Sequence, residues 1–339
     1  MRIAVDVQGG DNAPLETVRG CALAKEKYGA QLILCGEREE ILKAMADSGI
    51  AADEFTIAGT TQSIGYDEEP AVAIRSKADS PIVVGLNMLK DGQADAFVSA
   101  GNTGALLIGS TLIVKRIKGI KRAAFAPLLP TGREKGTMLI DAGANVDGKP
   151  EHLLQFGIMG SAYMKGVEGV ECPSVGLLNN GAEETKGTEL HRKAHALMKE
   201  AGINFVGNIE GREVASGAVD VIVSDGFTGN IFLKTFEGVG MTMYEMIKQV
   251  FMKGPLTKIA ALLVKSGLKS FKKKMDYTEY GGAILMGIAK PVIKAHGSSN
   301  AKAFCSAIGQ AARFVECGLI ATIEGELEKN AELYGESAE

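Results

Sequence analysis

The chain has 339 residues, 46% of them hydrophobic and 23% charged, with a net charge of −4. These are the proportions of a globular protein with a large core, and the charge gives no general case for nucleic-acid binding. Glycine is abundant, at 43 residues, and follows no short period, which points to many tight strand-to-helix turns.

The first strand candidate, Ile3–Val7, begins at once and ends in DVQGGDNAP (Asp6–Pro14). No basic stretch leading into an apolar run precedes it, and no run of about 18 uncharged apolar residues occurs. Neither a signal peptide nor a transmembrane helix is therefore expected. Helix Pro14–Tyr28, strand Gln31–Cys35, helix Arg38–Ser48, strand Phe55–Ala58 and helices Ala71–Ser76 and Val83–Asp91 follow. Strand Ala96–Ser99 breaks in DAFVSAGNTGALL (Asp95–Leu107). Strands Ala123–Leu128 and Thr137–Ile140 lead to DAGANVDGKPEH (Asp141–His152) and helix His152–Met164. Strand Ser174–Leu178 runs through LLNNGAEETKGTEL to helix Glu189–Ala201, and strand Asn204–Gly207 runs into GNIEGRE. Strand Val219–Ser224 breaks in DVIVSDGFTGNIFL (Asp220–Leu233).

These strands are apolar on both faces and alternate with helices, the pattern of a mostly parallel sheet in a layered α/β fold. No Pro/Ser-rich linker divides the chain. Residues 1–339 therefore read as one α/β domain, although the length alone suggests about two.

In such sheets ligands bind beyond the carboxyl ends of the strands, where this sequence places its small and polar residues. Two of the corners are copies, both reading D-x-x-V-S-x-G-x-T-G. Ser99, Gly101, Thr103 and Gly104 match Ser224, Gly226, Thr228 and Gly229 at one constant offset. Glycine permits close backbone approach, and the helix that follows aims free N–H groups at the corner. Together they make an anion site, to which Asn102, Thr103, Thr228 and Asn230 add side-chain donors. Neither G-x-x-x-x-G-K-[ST] nor G-x-G-x-x-G is present, so no nucleoside triphosphate or dinucleotide is indicated.

Lys186, in AEETKGTEL, and Lys234, one turn beyond Asn230, are cations placed to neutralise phosphate or an oxyanion. His296, in KAHGSSNAKAF, reads as a rim contact, and His152 as a helix start. His191 and His195 lie four apart on a helix but lack H-E-x-x-H, and read as solvated surface. Cys21, Cys35, Cys172, Cys305 and Cys317 are odd in number without C-x-x-C, as expected of reduced core thiols in a cytosol. The stretch Met246–Met275 holds eight lysines and no acid, broken at Gly254-Pro255. It reads as an amphipathic helical hairpin within residues 240–280. Leu256, Ile259, Leu263, Val264 and Phe271 share its apolar side, suited to reversible docking on anionic lipid, with docking of an acidic partner protein or packing on the core or a second copy of the chain as alternatives.

The sequence resembles the bacterial fatty acyl-ACP:phosphate acyltransferases, the PlsX family. The resemblance rests on VSAGNTGAL, DAGANVDGKPEHLLQF, GLLNNGAEETKGTEL, FVGNIEGRE, DGFTGNIFLKTFEG, YGGAILMGI and IKAHGSSNAKAF. It runs from the first strand to beyond residue 300, and departs at Gln8, Asn12 and Ala123. It implies that acyl-ACP and inorganic phosphate give acyl phosphate and free acyl carrier protein, with no cofactor and no metal. The product would feed a membrane glycerol-phosphate acyltransferase for phosphatidic acid synthesis. The implied protein is a homodimer, cytoplasmic and peripherally membrane-associated. Its implied fold is a three-layer, Rossmann-like sheet, similar to isocitrate and isopropylmalate dehydrogenases and to phosphotransacetylases. With that reaction in view, Lys186, Asn145, Asn230, Asp225 and His296 are the catalytic candidates. Asp6, Gly9, Gly10, Asp11, Ser99, Gly101, Asn102, Thr103, Gly104, Gly143, Gly226, Thr228, Gly229 and Lys234 are the phosphate-binding candidates. The alternative reading is phosphotransacetylase-like transfer from acyl-CoA.

Overall fold

The computed structural model describes residues 1–267 and 281–334. The first half builds β1 (Arg2–Asp6), α1 (Leu15–Tyr28), β2 (Gln31–Gly36), α2 (Arg38–Asp47), β3 (Thr56–Gly59), α3 (Pro70–Ser76), α4 (Pro81–Lys90), β4 (Ala96–Ser99) and α5 (Thr103–Gly109). The second half builds β5 (Ala124–Leu129), β6 (Thr137–Ile140), α6 (Pro150–Gly166), β7 (Ser174–Asn179), α7 (Glu189–Glu200), β8 (Asn204–Glu210), α8 (Gly211–Val214), β9 (Val221–Val223), α9 (Gly226–Met252) and α10 (Pro255–Leu263). Last come β10 (Gly282–Met286), β11 (Val292–Ala295), α11 (Ala301–Glu316) and α12 (Leu319–Lys329).

All the strands join one sheet, in the order β3-β2-β1-β4-β11-β10-β5-β6-β9-β7-β8. The groups β3-β2-β1-β4-β11 and β6-β9-β7-β8 are each parallel. Between them β10 is antiparallel to both β11 and β5, and β5 is antiparallel to β6, so the two groups run in opposite directions. Each strand feeds both faces, because successive side chains point to opposite sides. On β1, Ile3 and Val5 enter one core with Phe156, Tyr163 and Phe304, while Ala4 enters the other with Leu86, Phe97 and Ile222. Both faces are thus covered, which explains the unbroken apolar strands.

The strands expected from sequence all form, within a few residues of their expected bounds. Two others, β10 and β11, were not expected, and they occupy the centre of the sheet. Both are short, β10 beginning at Gly282 and running into Gly287 and β11 following Pro291, so their local pattern resembles loop. A further correction concerns His195, which is buried edge-on against Phe205 with ring centroids 5.0 Å apart, not solvated.

Candidate active site

The first corner forms where β1 and β4 lie side by side with Asp6 paired to Ser99. The buried Asp6 carboxylate accepts the Gln8 and Gly9 amides at 3.1 and 2.9 Å and the Ser99 hydroxyl at 2.7 Å. Ser99 Oγ in turn accepts the Gly101 amide at 3.0 Å. One carboxylate thereby ties two loops together. Burial pushes the Asp6 carboxyl above its ordinary range, opposed by these hydrogen bonds and by the Lys294 charge. Gly9 and Gly101 interlock so closely that a Cβ on Gly9 would lie 2.8 Å from Gly101 Cα. Asn102 caps α5 by accepting the Ala105 amide at 2.9 Å, and its own amide group donates to the Gly65 and Tyr66 carbonyls. Gly104 faces Pro70, so its bareness serves the packing of α5 on α3. Beside this corner Gly10, at φ 111°, lets the Asp11 amide reach the Gly297 carbonyl at 2.7 Å.

The second corner has the same letters and a different wiring. Asp141, at the end of β6, accepts the amides of Phe125, Gly143 and Ala144 on one oxygen and the Asn145 amide and side chain on the other, all within 2.7–3.1 Å. Burial pushes its carboxyl upward as well. Asn145 also donates to the Ala123 carbonyl at 2.7 Å, so its amide orients the loop. Ser224 turns its hydroxyl to the Asp225 carbonyl at 2.9 Å. Asp225 caps α9 by accepting both the amide and the hydroxyl of Thr228, at 2.9 and 2.8 Å. The Gly226 amide donates to the Asn145 carbonyl, and the Gly229 amide to the Asp225 carbonyl. Three amides of the first turn of α9 are therefore engaged by the protein itself. These contacts weigh against a fully open anion site at this end of α9. Gly226 and Gly229 are bare because α9 starts directly against Asp141.

Between the corners lies a cleft of about 500 Å³. One wall is a face of α9 from Asn230 through Leu233, Lys234, Glu237, Gly240, Met241 and Tyr244 to Glu245, residues three or four apart. At 1.5 Å per residue this face is about 22 Å long. The opposite wall is Phe125, Pro127, Leu128 and Leu129 of β5, with Ala283 of β10. Thr103, Lys294, His296 and Gly297 complete it from the first corner and the β11 end. Cations cluster here: Lys234 bears on both Lys294 and His296. Lys234 itself pairs with Glu237 at 2.8 Å. His296 Nδ1 lies 2.8 Å from Ser298 Oγ and accepts the Ser298 amide at 3.2 Å, which leaves the neutral ring's proton on Nε2. Burial, then Lys234, holds the His296 pKa below its ordinary value.

Of the sequence candidates, Thr103, Asn230, Lys234 and His296 line the cleft. Gly143, at φ 130°, backs Asn230 from behind. Lys186 does not line it. It is exposed on the loop after β7, held by Asn179 donating to its carbonyl at 3.3 Å. Sequence reasoning passed over Lys294, whose Nζ donates to the Ala100 and Ala295 carbonyls at 3.1 and 2.6 Å. Its signal was a single lysine inside the apolar run PVIKA. The apolar wall was missed too, because β5 and α9 meet only in the fold.

The family described as "Fatty acid synthesis protein" matches residues 1–322. A phosphate acyltransferase of Thermoanaerobacterium thermosaccharolyticum is 48% identical over 328 residues, covering 97% of each chain. That of Clostridium acetobutylicum is 45% identical over 330 residues, covering 97% of this chain and 99% of its own. This chain belongs to the phosphate acyltransferase (PlsX) family. The acyltransferase also shares its fold with a phosphotransacetylase of Streptococcus pyogenes, at TM-score 0.64 and 20% identity, over 93% of this chain and 94% of the other. A 4-hydroxythreonine-4-phosphate dehydrogenase of Klebsiella pneumoniae superposes at TM-score 0.52 and 14% identity, over 93% and 99%. At those identities the likeness is one of fold, and it agrees with the layered sheet expected of the acyltransferase.

α9 and α10 of the acyltransferase are separated at Gly254-Pro255, as the break in the basic segment suggested. No residue of α10 is buried, and Leu256 and Leu263 are 80% and 81% exposed. Ile259 and Val264 are exposed too, while Phe271 lies outside the described residues. No single helix among the described residues is long and apolar enough to cross a membrane.

Proposed function

We propose that this acyltransferase moves a fatty acyl group from acyl carrier protein to inorganic phosphate. The observation that carries this reading is the cleft itself, in which a cationic cluster with Thr103 and Asn230 adjoins an apolar wall along α9. The cluster suits a phosphate, and the wall suits an acyl chain. A phosphate oxygen attacks the thioester carbon, a C–O bond forms, and the carbonyl electrons move to oxygen. Collapse of that oxyanion breaks the C–S bond, and the departing thiolate takes a proton from solvent. A thioester is already activated, so the protein need only hold phosphate against the carbonyl and steady the oxyanion. Thr103, Asn230, Lys234 and His296 are the contacts assigned to that task. Asp6, Ser99, Asp141, Asn145 and Asp225 hold the corners that position them.

The chain reads as one α/β domain carrying the hairpin. The exposed apolar residues of α10, with Lys258 beside them, support docking on anionic lipid. There a cytoplasmic homodimer would hand its acyl phosphate to a membrane glycerol-phosphate acyltransferase. Release of carrier thiol from acyl-ACP, measured with and without phosphate while acyl phosphate is trapped as the hydroxamate, tests the reaction. Thiol release that ignores phosphate rejects it. The fold shared with a phosphotransacetylase supports a second donor. Faster phosphate-dependent turnover of acyl-CoA than of acyl-ACP would establish that one instead.

A further inference from the structure

Lys294 lies on β11, which the fold inserts beside β4 so that Lys294 pairs with Ser99 of the first corner. Its ammonium is pinned by two backbone carbonyls, those of Ala100 and Ala295. Carbonyls orient a cation but do not neutralise it. Among the described residues no carboxylate forms an ion pair with Lys294, and its third N–H has no assigned protein partner. The groups that face it are known. Asp6 of β1 already accepts from Ser99, Gln8 and Gly9. Asp11 lies in the loop after β1 and Lys234 on α9, where Lys234 pairs with Glu237. His296 lies two residues on, and the Tyr66 hydroxyl shares the Ala100 carbonyl at 3.4 Å. A largely desolvated cation with no carboxylate in ion-pair contact is costly to a fold. This one sits in the wall of the cleft, where a ligand can neutralise it.

We propose that Lys294 is a catalytic residue, the fixed cation that binds the phosphate nucleophile and holds it while it attacks the acyl carbonyl. The assignment rests on the phosphate-transfer reading above and names the group that carries it. Lys186 is outside the cleft, and Lys234 has a carboxylate of its own. Lys294 stays protonated throughout the step; its role is charge and position. In a site that excludes water such a contact is far stronger than at the surface. Burial, against the opposing charges of Asp6 and Asp11, pulls the ammonium pKa down to about 8. Phosphate affinity should therefore weaken as pH rises through that free-protein value.

The test compares wild type, Lys294→Met and Lys294→Arg, each checked for folding by circular dichroism. Binding of inorganic phosphate is read as the rise in thermal midpoint, and turnover as phosphate-dependent thiol release from acyl-ACP. Lys294→Met should lose the phosphate-induced rise and lower kcat/KM for phosphate roughly 30- to 100-fold, with KM for the donor little changed. Lys294→Arg should retain part of both. In wild type, phosphate affinity should fall above about pH 8, and the Met variant should lack that limb. A folded Lys294→Met protein with wild-type phosphate dependence overturns the assignment while leaving the transfer reading intact. Where the Met variant does not fold, a folded Lys294→Gln protein with wild-type phosphate dependence overturns it equally. Wild type that neither binds phosphate nor needs it for thiol release overturns both.

Discussion

The two copies of S-x-G-x-T-G differ in what their first few residues do. In the first copy Ser99 reaches across to Asp6 and back to Gly101, so the hydroxyl staples two strand ends together. The helix then starts at Thr103, capped by Asn102. In the second copy the position before the first glycine is Asp225 instead of Ala100. That carboxylate captures Thr228, and the helix starts at the glycine itself, two residues earlier in the shared motif. Ser224 is left with only its neighbour's carbonyl. Two differences outside the repeated letters, Asp225 for Ala100 and Phe227 for the capping Asn102, therefore move a helix start and change a corner from stapled to self-capped. What the copies still share is the carboxylate beside them, Asp6 or Asp141, and a bare glycine where the backbone must approach.

The largest expected effect breaks the carboxylate of the second corner. Asp141→Ala would strand five donors around one buried carboxylate and should cost about 3–5 kcal/mol in urea unfolding. Asp6→Ala strands three and should cost about 2–3 kcal/mol. Equal costs would mean that the two corners are not wired differently.

The glycines sharpen the contrast. In Gly229→Ala the new methyl would strike the Asp141 carbonyl, which is backbone and cannot yield, so about 3 kcal/mol is expected. Gly104→Ala meets only the Pro70 ring and should cost about 1–2 kcal/mol. Thermal melts of the pair decide the order.

At the cleft, Asn230→Ala removes a lining donor without disturbing a cap, and should lower turnover by about 10-fold at unchanged stability. Asp225→Ala removes the cap, with about 1 kcal/mol lost from α9. The smallest effect belongs to Lys186→Ala. With its side chain exposed outside the cleft, it should change turnover by less than about 2-fold. A 10-fold loss there would return Lys186 to the site and place the reacting phosphate beside the second corner.

The local chemistry of the chain determined a good deal on its own. Apolar runs covered on both faces, glycine after each strand and polar letters at the strand ends follow from short stretches, and they foretold the layered sheet and the corners. The duplicated motif and the break at Gly254-Pro255 were equally legible, because each depends on neighbours in sequence. Tertiary structure alone decided the rest. Lys294 and Ala100 are 194 positions apart, and nothing near either residue announces that β11 will lie beside β4. Sequence marked Asp225 as a catalytic candidate; that it caps α9, with Asp141 and Asn145 closed in around it, came only from the fold. The apolar wall needs β5 and α9 to face each other across a sheet ordered by long-range pairing. Local patterns select strands and helices. Which half-buried lysine meets which anion depends on register between distant segments, and that is settled only when both faces of the sheet are packed.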